Sequence, residues 1–520
     1  MARTAFEGFC GPSYQLTNRY SAVERLVNWY LLPNETKEEK KFQVDLAPCP
    51  ANAPFCTLPV PSPFNASNRG LIECRGIAYG VNGTIVFSID ANGNFTNIGT
   101  VQSDGLPVSM AANGNGQIFI ASGGVGYVIP AGGGVQSLIT VPCDTVNGPL
   151  LGASYATFQD GYGIVIVPNS NKFQISGTDV TPLGDLTQWD AANVDVLTGQ
   201  SDYLQACISW REYLYIFGKR RSQVYYDAGS AGIGGFPFQS YNETFIETGL
   251  AAVGSLCSLG DSLIWIGEDE RGQRACWRTA TFQPVRTSTF AIEEAWASYP
   301  TVADAVSFSF TWKGHLMYQI TFPQANATWL YDATASQLLG KHIWSERQYT
   351  NSQNVQIARP ELFHCYCYGK HLVGSCGTDG NPGAIYYYSD TTFTDPLGAS
   401  NGAQSQQPMV RDRICPHIWE LNNRVIYERI EFELLRGVAT QGSGQTPGSA
   451  PSIMLRWSND GGYSWEPEQT VPIGRVGQYG WRAFFLRTGY ARDRVFWIRV
   501  SDPVYWSITA ASLNLRPCGS

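Results

Sequence analysis

Residues 74–123 read CRGIAYGVNGTIVFSIDANGNFTNIGTVQSDGLPVSMAANGNGQIFIASG, and this stretch is dominated by turn signals. Its Asn-Gly and Asp-Gly pairs stand at residues 82–83, 92–93, 104–105, 113–114 and 115–116. These dipeptides supply the positive φ angles that tight hairpins require. They recur about every ten residues, which is the strand spacing of sandwiches, barrels and propellers. The stretch therefore predicts a series of short antiparallel strands.

Similar segments continue along most of the chain. They are rich in Ile, Val, Tyr or Trp, so each would turn one face towards a core. They lie at residues 84–90, 94–101, 116–123, 161–168, 172–177, 213–219, 222–229, 261–268, 315–323, 327–335 and 384–390. A long row of such strands must be closed or repeated radially to hide its edges. The sequence therefore predicts an all-β fold with a β-propeller-like main domain, although no clean internal repeat gives a blade count.

The composition agrees with a strand-rich protein. Of the 520 residues, 43% are hydrophobic, 13% are aromatic and only 15% are charged, and 54 are glycine. These values exclude a disordered chain and argue against a helical bundle or coiled coil. The formal net charge of -8 excludes a generally basic nucleic-acid binder, because phosphate binding needs clustered Lys and Arg. It does not exclude a protein that lets DNA pass without binding it.

Two helices are predicted among the strands. In TFAIEEAWASY (289–299), the apolar residues fall at helical spacing on one face, and Thr289 is placed to cap the first turn. SAVERLVNWYLL (21–32) is a second candidate, which Pro33 would end.

Proline and glycine content suggests the domain boundaries. Six prolines between residues 48 and 63 indicate an extended linker over residues 45–65. Residues 399–408 and 441–451 are Gly-, Ser- and Gln-rich and are predicted to be loops. We therefore divide the chain into three parts, which are an N-terminal arm with a Pro-rich linker (1–64), a β-propeller-like domain (65–400) and a smaller C-terminal β domain (401–520).

Neither a secretory signal nor a membrane span is predicted. The N-terminus lacks an apolar segment of signal-peptide length, and no stretch approaches 18 consecutive apolar residues. The 13 cysteines are odd in number and scattered from Cys10 to Cys518. This usage is typical of reduced thiols in a protein made in a cytoplasm.

The segment HCYC (364–367), with His371 and Cys376 nearby, contains the residue types of a zinc site. Its sequence also fits a strand, in which Cys365 and Cys367 share one face while His364 and Tyr366 take the other. Without a bulge the ligands would not converge. Half-buried strand residues are therefore the favoured interpretation, and a metal site is the alternative.

No motif for catalysis or nucleotide binding is present. The five histidines lie outside any G-x-S-x-G or H-E-x-x-H pattern, and no Gly-Lys pair continues as a P-loop. The sequence therefore predicts no enzyme activity and no cofactor. Lys219, Arg220 and Arg221 form a basic trio at a hairpin turn, which we interpret either as a solvated turn or as a docking or DNA-channel loop.

The segment SNDGGYSW (458–465) resembles the Asp-box hairpin of sialidase-like propellers. In this structural turn motif, Asp460 would bind turn amides, Gly462 would permit the turn and Trp465 would enter the core, with Ser458 and Ser464 as the flanking hydroxyls. The motif is a folding element that lies remote from catalysis. A sialidase would also need an arginine cluster and a tyrosine–glutamate pair, and no motif marks either.

Eight segments, taken in order, carry a family resemblance. They are VNWYLLPNE (27–35), CRGIAYGVNGTIVFSID (74–90), GYGIVIVPNSNKFQISG (161–177), WREYLYIFGKRRSQVYYDAG (210–229), TSTFAIEEAW (287–296), TFPQANATWLYD (321–332), LRWSNDGGYSW (455–465) and RDRVFWIRVSDPV (492–504). Together they resemble the packaged-DNA stabilisation proteins of short-tailed bacteriophages, also described as tail hub or nozzle proteins. Residues 45–75 and 436–451 depart from the family pattern.

The resemblance implies a structural virion protein with a propeller fold, without enzyme activity or cofactor. Such proteins form a sixfold ring below the head-to-tail adaptor, close the DNA exit channel, retain packaged DNA and hold fibres or spikes. The implied partners are further copies in a hexamer, the adaptor, a fibre or spike protein and exiting double-stranded DNA. The implied location is the virion tail, after assembly in the host bacterial cytoplasm.

The resemblance makes Asn28, Trp29 and Tyr30 candidates for contact with a neighbouring subunit or the adaptor. The alternative is that Trp29 and Tyr30 pack within their own subunit. The alternative function for the whole chain is a tail-associated glycan-binding protein or sialidase-like glycosidase. That function requires paired carboxylates or an arginine cluster in a pocket at the propeller mouth.

Overall fold

A computed structural model of the chain describes residues 3–34, 44–59, 67–102, 104–132, 136–144, 149–177, 184–197, 202–229, 236–268, 272–397, 405–421, 423–441 and 446–518. Within these ranges nearly all regular structure is β-strand, accompanied by two α-helices. The strands form a β-propeller and a C-terminal β-sandwich, which confirms the predicted all-β class.

Six strands precede the propeller, and all of them are built into its sheets or those of the sandwich. They are β1 Arg3–Ala5, β2 Tyr14–Gln15, β3 Val23–Val27, β4 Trp29–Pro33, β5 Val44–Pro48 and β6 Ala51–Thr57. Strands β1 to β5 join the two sheets of the sandwich, whereas β6 joins the propeller.

The propeller begins with five antiparallel units of four strands each. They are β7 Asn68–Cys74, β8 Ile77–Asn82, β9 Ile85–Ile89 and β10 Phe95–Thr100; β11 Ser109–Ala112, β12 Ile118–Ser122, β13 Val125–Ile129 and β14 Ile139–Thr140; β15 Tyr155–Gln159, β16 Tyr162–Ile166, β17 Lys172–Ser176 and β18 Trp189–Val196; β19 Leu204–Trp210, β20 Tyr213–Gly218, β21 Ser222–Asp227 and β22 Phe238–Ile246; and β23 Cys257–Leu259, β24 Ser262–Glu268, β25 Arg274–Thr279 and β26 Val285–Arg286. A 3-10 turn at Val253–Ser255 precedes the fifth unit.

Two more four-stranded units complete the ring, and short strand pairs flank the last of them. The strands are β27 Val306–Trp312, β28 His315–Phe322, β29 Ala327–Asp332 and β30 Ile343–Glu346; the pair β31 Tyr349–Thr350 and β32 Gln356–Ile357; β33 Glu361–Cys367, β34 Lys370–Ser375 and β35 Ala384–Ser389; and the pair β36 Thr394–Leu397 and β37 Ser405–Pro408. The fourth strand of the last unit is β6. Six of the seven units are separate sheets, and β27–β30 is continuous with a larger one.

The ring is closed by a strand from the start of the chain. In the pairing of β6 with β35, Ala51 lies opposite Ser389 and Thr57 lies opposite Ala384. A cluster of buried apolar side chains lies between neighbouring units all around the ring. The cluster that joins the last unit to the first contains Cys56 of β6. N-terminal residues therefore hold the propeller shut.

The sandwich is built from the last nine strands together with N-terminal ones. The nine are β38 Arg411–Ile414, β39 Ile418–Trp419, β40 Val425–Leu434, β41 Ser452–Ser458, β42 Gln469–Pro472, β43 Ala483–Leu486, β44 Tyr490–Ala491, β45 Asp493–Val500 and β46 Ile508–Pro517. One sheet has the order β4-β5-β46-β40-β43, with β1 beside β46 and β44 beside β40. The other has the order β30-β3-β38-β45-β41-β42 and extends back through β29, β28 and β27. One 11-stranded sheet thus runs from the propeller through the sandwich.

The helix predicted at residues 289–299 is confirmed as α1, Phe290–Ala297, with the Thr289 hydroxyl accepting from the Ile292 amide. The structure adds α2, Ala333–Leu339, which the sequence analysis assigned to a strand over residues 327–335. Asp332 ends β29 and accepts from the Ala335 amide as an N-cap, and Gly340 ends α2 at φ 65°.

The helix predicted at residues 21–32 is wrong, because this segment forms β3 and β4. Both faces of β4 are buried, so its apolar run has no strand alternation and is ambiguous between helix and strand. The linker predicted over residues 45–65 is also corrected. Residues 44–48 and 51–57 are paired strands, and residues 60–66 lie outside the described ranges. Strand β5 pairs with the nearby β4 and, through Leu46, with Ile508 of β46, whereas the partner of β6 is β35, more than 300 residues away.

The loop predicted at residues 399–408 contains β37, although residues 398–404 lie outside the described ranges. In the loop at 441–451, residues 442–445 lie outside them. The domain boundaries at residues 64 and 400 stay predictions. No helix in the described part of the chain is long and apolar enough to cross a membrane.

Candidate functional site

Asn28 lies between β3 and β4, where the propeller, the sandwich and the N-terminal strands meet. Its φ of 58° is in the left-handed region, which asparagine tolerates better than most residues. Its buried Nδ2 donates to the carbonyls of Gln348 (2.9 Å) and Val410 (2.7 Å), and its Oδ1 accepts from the Gln348 amide (2.9 Å). Its backbone carbonyl accepts from the Cys49 amide. The Asn28 side chain therefore connects the end of propeller unit β27–β30 to the residue before strand β38 of the sandwich.

Trp29 and Tyr30, the other two candidate contact residues, are 1% and 3% exposed. Successive residues of a strand face opposite sides. Trp29 accordingly enters the sandwich core, whereas Tyr30 packs with Phe308 and Phe310 of the propeller. Both side chains pack within their own subunit, which is the alternative stated above. Their burial argues against a direct side-chain contact with a partner, and a contact made by this segment stays a prediction.

A buried ionic network lies next to this junction. Arg359 donates to Glu361 (2.8 Å) and to both oxygens of Asp395 (2.6 and 3.0 Å). Arg347 donates to the carbonyl of Pro50, between β5 and β6. Burial alone would raise the pKa of Glu361, but the neighbouring Arg359 and Arg347 hold that pKa below its ordinary value. The network fixes the last propeller unit against the strand that closes the ring.

Arg411, at the start of β38, is a third buried guanidinium in this region. None of its side-chain nitrogens has a hydrogen-bond partner among the described residues, and its guanidinium carbon lies 5.5 Å from the centre of the Phe393 ring. Burial lowers its pKa to about 10. Arg347 and Arg359, by contrast, are paired with the carboxylates of Glu361 and Asp395.

A cavity of about 360 Å³ opens at the same joint, between the propeller and strands β4 and β5. Its lining includes Asp45, Lys313, His315 and Thr334, and His315 Nδ1 lies 2.7 Å from the buried Asp332. The described lining contains one carboxylate and no arginine. This cavity therefore does not present the paired carboxylates or arginine cluster that the glycosidase alternative requires.

The basic trio lies in the turn between β20 and β21, with Lys219 and Arg220 exposed. The Arg220 amide donates to Asp202 (2.7 Å), and Arg221 Nε lies 3.1 Å from Glu247. The backbone of Lys219 passes so close to Gly249 that a Cβ there would lie 2.3 Å from it. The turn is therefore a fixed surface feature with exposed cationic side chains, and its role in docking or DNA contact stays a prediction.

The Asp-box segment forms the hairpin between β41 and β42, so it belongs to the sandwich. Asp460 accepts from the amides of Tyr463 (3.1 Å) and Ser464 (2.9 Å), while the Ser458 hydroxyl donates to it (2.6 Å). Burial opposes ionisation of Asp460, but these hydrogen bonds lower its pKa to about 2. Gly462 adopts φ 88°, and the Trp465 ring packs edge-on against another tryptophan at 5.1 Å.

The 364–376 group lies on β33 and β34, apart from Cys376, which directly follows β34. Cys365 and Cys367 are buried in an apolar cluster, and burial raises the pKa of Cys365 to about 12. On the other face His364 Nε2 lies 3.0 Å from His371 Nδ1, and burial lowers the pKa of His364 to about 3. The thiols and imidazoles thus point away from one another. Among the described residues, no group of three or more His, Cys, Asp or Glu is arranged to hold a metal ion.

His417 connects the N-terminal segment to the sandwich. Its Nδ1 lies 2.8 Å from Asp493 Oδ1, and its Nε2 lies 2.7 Å from the carbonyl of Arg19. Both partners are acceptors, so both ring nitrogens must donate, as in the protonated imidazolium. The hydrogen bond with Asp493 accordingly raises the pKa of His417 above its ordinary value, against the effect of burial.

The sequence analysis did not select the residues of the ionic network or His417. The available signal was weak, because it consisted only of charged residues within strand-like segments such as ARPEL (358–362) and TDPL (394–397). Charged side chains are seldom fully buried unless they are paired. The partners, however, come from different units of the ring.

Two family models match the chain. One, described as bacteriophage P22 Gp10, beta-propeller, covers residues 63–391, and the other, described as bacteriophage P22 Gp10, beta-sandwich, covers residues 411–516. The chain belongs to the bacteriophage P22 Gp10 family. The resemblance to phage tail hub and stabilisation proteins is thereby confirmed, and this Gp10 family member is a structural protein of a bacteriophage tail.

Solved structures similar to this family member are propellers of mixed function. Virginiamycin B lyase from Staphylococcus aureus is 11% identical, with 63% of this chain and 96% of that chain covered and a TM-score of 0.40. The WD40 β-propeller domain of Doa1 is 10% identical, with 66% and 97% covered and a TM-score of 0.37. Likenesses at this level carry no functional argument. A search among curated proteins found no match.

Replacing Asn28 by alanine should strongly destabilise the chain. Three buried hydrogen bonds are lost at about 1 kcal/mol each, and alanine in the left-handed region costs about 1 kcal/mol more. We expect the free energy of unfolding to fall by about 4 kcal/mol in urea denaturation followed by tryptophan fluorescence. The matched control is Asn354→Ala, an exposed position with φ 59°, where about 1 kcal/mol should be lost. Equal losses would contradict the role of Asn28.

The variant Glu361→Gln should leave Arg359 and Arg347 poorly compensated and lose about 3 kcal/mol of stability at pH 7. The folded pKa of Glu361 is lowered, so its stabilisation is present above the ordinary value of 4.5 and disappears as pH falls through the folded value. The difference in melting temperature between wild type and variant should therefore become smaller below pH 4.5. Glu247→Gln, at an exposed ion pair, should change stability by less than about 0.5 kcal/mol. A difference in melting temperature that stays constant below pH 4.5 would contradict the lowered pKa of Glu361.

The contribution of His417 to stability should depend on pH in the opposite direction from that of Glu361. Its folded pKa is raised, so its contribution is complete below the ordinary value of 6.5 and is lost as pH rises through the folded value. In melting temperatures recorded from pH 5 to pH 9, wild type should exceed His417→Leu most at low pH. For His342→Leu the trend should reverse, because burial lowers the pKa of His342. The same trend for both variants would contradict the assignment.

Proposed function

We propose that the chain forms a ring, specifically a hexamer, below the head-to-tail adaptor of a phage particle. The ring extends and closes the DNA exit channel, retains the packaged DNA and holds tail fibres or spikes. The observation that carries this proposal is the 11-stranded sheet that runs from propeller unit β27–β30 into the sandwich through β3. Such a sheet holds both parts as one stiff body, which suits a ring wall that works by shape and position.

The charge of the chain supports passage of DNA through such a ring. Each copy carries a formal net charge of -8. Where part of that charge faces the channel, it repels the DNA phosphates within about 8 to 10 Å at physiological salt, so the DNA slides without binding. In this proposal, the exposed turn at Lys219 to Arg221 is either a docking loop or a loop near the channel.

Assembly in the host bacterial cytoplasm is part of the same proposal. All 13 cysteines carry free thiols, and most of them are buried. Burial raises the pKa of several of these thiols, such as Cys56 and Cys74, so they stay protonated and unreactive. These properties fit folding in a reducing compartment.

Negative-stain images of the purified full chain, alone and with a candidate adaptor, should show sixfold rings. Rings of another symmetry in the presence of the adaptor would contradict the hexamer. A lumen lined mainly by Lys and Arg would contradict the proposed sliding of DNA. Hydrolysis of host surface polysaccharide by the isolated chain would instead support the glycosidase alternative.

A further inference from the structure

Residues 469–491, which we term the sandwich edge, run from β42 through β43 to β44. Five large apolar side chains of this segment are strongly exposed, namely Val476 (42%), Tyr479 (71%), Trp481 (41%), Leu486 (51%) and Tyr490 (60%). Concentrated exposure of this kind on a soluble protein marks an interaction surface.

The sandwich edge lies on the side of the sandwich away from the propeller. In the 11-stranded sheet, β27 of the propeller is at one end of the order and β42 is at the other. In the opposite sheet, β43 is the terminal strand. Among the described residues, both sheets therefore end here, at β42 and β43. Exposed strand edges favour association with another chain.

Residues of the neighbouring strand β40 hold two side chains of the sandwich edge in place. Arg482 donates to both oxygens of the buried Glu431 (2.7 and 3.0 Å), which also pairs with Arg429 (2.7 Å). The guanidinium carbon of Arg429 lies 4.1 Å from the centre of the Phe484 ring. Rigid arginine and aromatic side chains lose little entropy on binding, and these residue types are enriched among interface hot spots.

The charged residues within the sandwich edge are all basic. It contains Arg475, Arg482 and Arg487 and no Asp or Glu. Residues 63–410, by contrast, contain 16 basic and 27 acidic residues. Exposed acids stand at the first hairpin of three successive propeller units, at Asp160, Glu212 and Asp261. The net charge of the propeller is therefore opposite in sign to that of the sandwich edge, which favours contact between them.

We propose that the sandwich edge docks onto the propeller of a second copy of this chain. An edge-to-edge contact with twofold symmetry would place the arginines of both copies together, whereas a head-to-tail contact pairs the basic edge with the acidic propeller. Head-to-tail contacts close into rings when their rotation permits. The inference rests on the proposed ring and assigns the surface through which its subunits meet.

The test compares Leu486→Ser with Val355→Ser, which removes a similarly exposed side chain (50%) from the turn between β31 and β32. Both variants should keep the wild-type melting temperature. In sedimentation velocity of the full chain over a range of concentrations, Leu486→Ser should weaken self-association at least about tenfold, the effect of losing one interface anchor. Val355→Ser should leave it unchanged. Arg475→Glu combined with Arg487→Glu should weaken it further, and high salt should weaken the wild type.

Unchanged association of Leu486→Ser would overturn the inference and leave the proposed function standing. A wild-type chain that stays monomeric at every concentration would also overturn it, because the contact requires no third component, whereas an adaptor could still template a ring. A dimer as the final assembly would favour edge-to-edge pairing and overturn the head-to-tail contact. Assemblies that depend on Leu486 but are not rings in negative stain would support the docking surface and contradict the proposed function.

Discussion

The Asn28 side chain is the interaction that sets the sandwich against the propeller. It satisfies backbone groups of Gln348, where the chain leaves the sixth propeller unit, and of Val410, where the chain enters the sandwich. Buried backbone groups that lose their partners cost more than a hydrogen bond returns. Any slip between the two parts would leave these groups unpaired, so a single arrangement is selected. The left-handed backbone at Asn28 lets β3 and β4 diverge at this point, so that one strand enters each sheet of the sandwich.

The surrounding residues reinforce this arrangement by different means. Trp29 places its ring in the sandwich core, and Tyr30 places its ring in an apolar cluster of the propeller. Arg359 pairs with the carboxylates of Glu361 in β33 and Asp395 in β36. An ionic network of this kind contributes less to stability than to the choice of one geometry, because desolvation offsets much of the attraction. For a tail protein that functions by position, a unique geometry is the useful property. One continuous sheet connects the propeller to the sandwich, and each part keeps its own apolar clusters.

The sequence predicts the repetitive part of this fold well because its signals are local. Asn-Gly and Asp-Gly pairs mark turns at intervals of about ten residues, and the α1 helix is marked by its own capping residue. The errors arise where partners are distant. The segment SAVERLVNWYLL appears helical because both faces of β4 are buried, and its hydrogen bonds from Asn28 span 320 and 382 residues. The resemblance drew attention to Asn28, Trp29 and Tyr30, but only the three-dimensional structure shows that they are internal.

The threading of the N-terminal strands has a consequence for biosynthesis. Ala5 pairs with Ser512, and Ala51 pairs with Ser389, so these strands find their partners only after more than 300 further residues have been synthesised. Until those residues are synthesised, β1 and β6 lack these partners, although β2 can already pair with β3 and β4 with β5. Such non-local pairing makes folding slow and exposes the intermediate to aggregation. A chain that ends before β35 can neither close the ring nor complete the sandwich. The connectivity therefore delays completion of both parts until these distant strands have been synthesised.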